Sequence, residues 1–142
     1  MKRWISIAMM VSFLGSITFA QDLAAKRKAA EQAAQTWLAL VDSGNYGESW
    51  QQAAPFLQAK ISKQDWQSTL DKTRSPLGTA NHRTLARSAY QTDLPNAPKG
   101  EYVIVQYKTA LAAGMFVETL TLQLGSGGKW RVAGYFIKPE LL

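Results

Sequence analysis

Apolar positions along the chain keep two different periods, and the change falls near Gly78. Before it, Ala30, Ala34, Trp37, Leu38 and Val41 recur at i, i+4, i+7, i+8 and i+11, the spacing of one helical face. That face predicts a helix from Asp22 to Ser43. Asp22 is placed to accept the first free backbone N–H groups, and Gly44 to supply a left-handed residue at the end. "NYGESWQQAAPFLQAKI" (Asn45 to Ile61) predicts a second, shorter helical segment with Tyr46, Trp50 and Ala53 on one side. Pro55 ends or kinks it, since proline lacks the N–H that a helix interior needs. The third helix opens at "SKQDW", where Ser62 and Asp65 stand like a capping box, and Trp66, Leu70 and Thr73 mark its buried stripe. Pro76 and Gly78 stop it.

After Gly78 the period becomes two. "TANHRTLARSAYQT" (Thr79 to Thr92) reads as a first strand, and "DLPNAPKG" (Asp93 to Gly100) as a loop. "EYVIVQYKTAL" and "MFVETLTLQL" are strands joined through Ala113 and Gly114. "GSGG" (Gly125 to Gly128) turns the chain into the last strand, "KWRVAGYFIK". Three helices followed by four strands predict an α+β fold, with the helices covering one face of a four-stranded antiparallel sheet. Alternation puts Phe116, Glu118, Leu120, Leu122 and Leu124 on the helix-facing side of the third strand. On the last strand it groups Trp130, Val132, Gly134 and Phe136 against Arg131, Ala133, Tyr135 and Ile137. Gly134 in mid-strand suggests a bulge or bend that curves the sheet.

The first twenty residues stand apart from this pattern. Lys2 and Arg3, the apolar run "WISIAMMVSFL" and the small residues of "TFA" before Gln21 have the order of a secretory signal peptide. The run is shorter than the roughly 20 residues a membrane span requires. Residues 1–20 are therefore expected to be removed, with residues 21–142 forming one domain; the alternative is an uncleaved anchor. No cysteine follows the run, which excludes a lipoprotein anchor, and export from the cytoplasm is expected. The chain carries 16 Lys and Arg against 10 Asp and Glu, a net charge of +6, which falls to about +4 without Lys2 and Arg3. These cations are spread out rather than gathered on a base-stacking face, so nucleic acid is not an expected partner. With no cysteine anywhere, no disulfide helps hold the domain.

Catalytic constellations are sparse. His82 is the only imidazole, so a Ser75–His82–Asp71 arrangement is arithmetically available but has no supporting motif. One histidine makes no zinc signature, and neither a metal nor a cofactor is expected. Glu118 attracts more interest, because an unpaired carboxylate on an apolar strand face is costly. Arg74, leaving the third helix, and Arg83, on the first strand, are its available partners. Glu118 then has three readings: a structural Glu–Arg pair, a pocket carboxylate for proton transfer or ligand binding, or a group exposed through a bulge. The aromatic residues Trp50, Trp66, Trp130, Tyr107 and Tyr135 read either as core or as a ligand wall. The candidate pocket thus comprises Glu118, Arg74, His82, Arg83, Tyr107, Trp50 and Tyr135, with no residue assigned as catalytic.

"WLALVDSGNYGESW", "RSPLG", "LPNAPKGEYVIVQY", "VETLTL" and "GKWRVAGYFIK" occur in this order, and together they resemble the bacterial family catalogued as domain of unknown function 4019. The resemblance runs from about Lys28 to Lys138. It implies a small protein exported by a Gram-negative bacterium and offers no catalytic residues to carry over. The order of elements is also similar to the nuclear-transport-factor-2-like (cystatin-like) superfamily, which implies a cone with an open mouth used for ligands, subunit pairing or enzyme chemistry. Fold alone does not transfer function. The expected role is non-enzymatic binding of a small molecule or an envelope protein, with pairing of two copies as a further form of partnership. The alternative is a small enzyme using Glu118 as general acid or base.

Overall fold

Helices precede strands, in the order the change of period implies. The computed structural model describes residues 13–141. Four α-helices, α1 (Phe13–Asp42), α2 (Tyr46–Gln51), α3 (Pro55–Lys60) and α4 (Lys63–Thr73), lead into β1 (Ala80–Gln91), β2 (Tyr102–Leu111), β3 (Gly114–Leu124) and β4 (Trp130–Pro139). The four strands form one antiparallel meander in the order β1-β2-β3-β4. Among the described residues no helix is long and apolar enough to cross a membrane.

Two helical expectations need correction. α1 begins at Phe13 rather than Asp22, so Asp22 is not a cap; it sits mid-helix and pairs with Lys26 one turn on, at 3.4 Å. Residues 17–22 are exposed, and among the helix residues whose burial is described the first buried one is Ala30. Most of the proposed leader, residues 1–12, lies outside the described residues. The second helical segment is two helices. Pro55 occupies the first turn of α3, where its missing N–H costs nothing. The break before it frees the Ala54 N–H to bond the Val132 carbonyl at 2.8 Å, tying the helical layer to β4.

The core lies between α1 and the inner sheet face. Ala34, Trp37, Leu38 and Val41 pack with Val103, Val105, Tyr107, Leu120, Leu122 and Val132. Two indoles converge on buried Ser49: Trp37 Nε1 donates to its carbonyl at 2.8 Å and Trp66 Nε1 to its hydroxyl at 2.9 Å. These bonds fasten α1 and α4 to α2. Ser62 caps α4 as expected, accepting from the Asp65 N–H at 3.1 Å, whereas Thr73 is exposed and outside the buried stripe.

Register changes one face assignment. Thr121 pairs with Gly134 but Leu122 with Val132, so the extra residue of the bulge is Ala133, beside the glycine rather than at it. The bulge inverts alternation beyond it. Tyr135 joins Val132 on the inner face, and Phe136 turns outward with 61% of its surface exposed.

Candidate functional site

Glu118 stands opposite Tyr107 on the inner face, between the buried residues Phe116 and Leu120 of β3. It is 0% exposed, so its charge must be met from within the protein. Arg83, reaching in from β1, supplies the counter-charge: its Nε lies 2.9 Å and its Nη2 2.8 Å from Glu118 Oε1. Thr109 of β2 donates its hydroxyl to the same oxygen at 2.6 Å. Tyr135, brought inward by the bulge, donates to Oε2 at 2.5 Å.

The guanidinium of Arg83 also reaches the end of α1. Its Nη1 and Nη2 donate to Asp42 Oδ2 and Oδ1 at 2.9 and 3.0 Å. Arg74, only 2% exposed, adds a bond from Nη2 to Asp42 Oδ1 at 3.1 Å and one from Nη1 to the Gly78 carbonyl at 2.8 Å. The result is an alternating chain of two guanidiniums and two carboxylates, running Arg74, Asp42, Arg83, Glu118. It joins the end of α1 and the end of α4 to β1 and β3, and through Thr109 and Tyr135 to β2 and β4.

Burial disfavours the charged forms of Asp42 and Arg83, and their partners oppose it. Half-burial pushes the Asp42 carboxyl up, but the hydrogen bond and charge of Arg83, then those of Arg74, outweigh it and hold its pKa below the usual carboxylate value. For Arg83, burial pushes the pKa down; bonds and charges from Asp42 and Glu118 reverse that and raise it. The Tyr135 phenol is driven well up, first by burial and then by the Glu118 charge and hydrogen bond. Tyr135 is therefore a fixed neutral donor.

The seven residues expected to share a pocket separate into groups. Glu118, Arg83 and Tyr135 meet directly. Arg74 does not pair with Glu118; it joins through Asp42, because Arg83, opposite Thr109 on β1, occupies the intervening space. Tyr107 lies on the same face, but its hydroxyl points to the Glu31 carbonyl of α1, 3.4 Å away. Trp50 belongs elsewhere, donating to the Ile61 carbonyl at 2.9 Å. His82 is exposed on the outer sheet face, 3.0 Å from the Thr84 hydroxyl, and has no place in the cluster. Asp42 and Thr109 were missed. Asp42 had a signal: a carboxylate in the last helical turn opposes the helix dipole and calls for a cation. Thr109 had another, being the polar member of the inward row Val103, Val105, Tyr107.

Clefts lie around this cluster rather than at Glu118. One of about 280 Å³ is lined by Asp42, Ser43, Gly44, Arg74, Ser75 and Thr79, at the outer end of the chain of charges. Another of about 390 Å³, between α1 and the start of β4, is lined by Ala29, Ala33, Gln52, Lys129, Trp130 and Arg131. Glu118 lines neither. With both carboxylate oxygens committed to donors, it is held in place.

The sequence profile of the family described as "Protein of unknown function (DUF4019)" matches residues 33–135. The chain belongs to that family. The matched span contains every member of the cluster, from Asp42 to Tyr135, and omits α1 from Phe13 to Gln32. Comparison with curated proteins gives no match.

Proposed function

We propose that this DUF4019 chain is an exported, non-catalytic binding domain, and that its Glu118 cluster is a structural clamp. The observation that carries the reading is the full commitment of Glu118: Arg83, Thr109 and Tyr135 occupy its oxygens, and it is 0% exposed. A general acid or base must reach the proton it transfers. The alternative, an enzyme using Glu118 in an open cone, lacks that access. The sequence order and the antiparallel meander are compatible with the NTF2-like architecture, which belongs to the same proposal. Binding then falls to the surface, either in the clefts that flank the cluster or on the outer sheet face, with a small molecule or an envelope component as partner.

Two measurements test the reading. N-terminal sequencing of the chain recovered from the cell envelope of a Gram-negative host should begin at Gln21; recovery in the cytoplasm with Lys2 and Arg3 in place contradicts export. The Glu118→Gln variant should lose about 3 kcal/mol of stability, because Arg83 loses one of its two counter-charges in a buried site. Wild-type melting combined with loss of a turnover or ligand would assign Glu118 to an active site instead.

A further inference from the structure

The two faces of the sheet differ sharply in charge. Cross-strand partners share a face, so the register fixes every outward position. None of those positions holds a carboxylate. Four hold Arg or Lys: Arg87 on β1, Lys108 on β2, and Arg131 and Lys138 on β4. The helices pack on the opposite face, where Arg83 balances Glu118. The six carboxylates of the helical layer are offset by seven Lys and Arg, so the cation excess without carboxylates belongs to the outer sheet face. Among the described residues one acid pairs with the outer cations: Glu140, beyond the end of β4, meets Lys108 at 2.5 Å.

Apolar side chains stand among these cations. Phe136 is 61% and Met115 47% exposed, both outward. Lys108 and Lys138 flank Val117 in a single cross-strand row, which places the two lysines about 10 Å apart. Phe136 is one outward step along β4 from Lys138. A hydrated anionic polymer would engage only the cations. An anionic bilayer surface engages both, since cations meet the headgroups while an aromatic and a thioether enter the boundary below them.

We infer that the outer sheet face is a docking surface for a membrane leaflet containing anionic phospholipid. The inference rests on the export reading above, which places the folded domain beside such membranes, and it identifies the envelope component left open there.

The test is vesicle co-sedimentation of the full chain and of a triple variant, Arg87→Gln with Lys108→Gln and Lys138→Gln. Vesicles are phosphatidylcholine alone, or equal parts phosphatidylcholine and phosphatidylglycerol. The apolar N-terminal run is common to both proteins, so the difference between them reports the face. All three positions are exposed, and thermal melting checks that the variant is folded. The wild type should prefer the anionic vesicles, and added salt should weaken that preference. The triple variant should bind them at least about tenfold less well. Phe136→Ser should weaken vesicle binding while leaving binding to dextran sulfate unchanged. Equal binding by wild type and triple variant, no preference for anionic vesicles, or binding to dextran sulfate but not to vesicles would each overturn the inference. None of these outcomes bears on the processing site or on the role of Glu118, which are measured separately.

Discussion

Asp42 ends a helix where the backbone dipole disfavours a carboxylate, and the position is sustained by two arginines from distant parts of the chain. Its native pKa is depressed, so its contribution is present above the unfolded value of about 4 and is lost as pH falls through the native one. Acid unfolding should show this directly: Asp42→Asn should be less stable than wild type at neutral pH and lose less between pH 5 and pH 2. Tyr135 gives the opposite limb. Its pKa is raised, so its contribution is complete below about pH 10 and declines as pH rises further. Tyr135→Phe should cost about 2 kcal/mol near neutrality, the worth of a buried hydrogen bond to a charged group, and should reduce the decline above pH 10. Chemical denaturation at fixed pH values checks both variants. At this scale the sequence pointed to Glu118, because one carboxylate in an apolar row needs a partner. It could not choose between Arg74 and Arg83, since that choice depends on where the end of α1 meets β1.

The joint between α4 and β1 shows how an element's ending can be dictated by a neighbour. Gly78 has a φ of +80°, and a Cβ there would sit 2.7 Å from the Ala112 side chain of the β2–β3 turn. Both conditions exclude other residues. Gly78→Ala should therefore destabilise the protein by about 2 kcal/mol or more, read from denaturant unfolding. The same joint carries the Gly78 carbonyl that receives Arg74, so the substitution also disturbs the outer end of the clamp. Helices and strands were legible here because Pro55, Pro76 and Gly78 punctuate a clear change of period. Two features were not. The pattern alone places the start of α1 too late, because Asp22 has the chemistry of a cap but lies within a longer helix. The inward turn of Tyr135 depends on the Ala133 bulge, and a bulge is a mismatch between two strands that neither strand displays alone.

In the whole molecule, the clamp holds the ends of α1 and α4 to the sheet with balanced charge, while the outer face keeps its cations free of carboxylates except at Lys108. The buried ionisable groups thus hold helices to sheet, and the exposed cations are the ones the proposed membrane docking would use. Arg83 and Glu118 act as one structural unit in this clamp. A double-mutant cycle by denaturant unfolding, using Arg83→Gln, Glu118→Gln and the pair together, measures this most directly. Each single change should cost about 3 kcal/mol, and the double change at least about 1.5 kcal/mol less than their sum. Additive losses, or a Glu118→Gln protein as stable as the wild type, would contradict it.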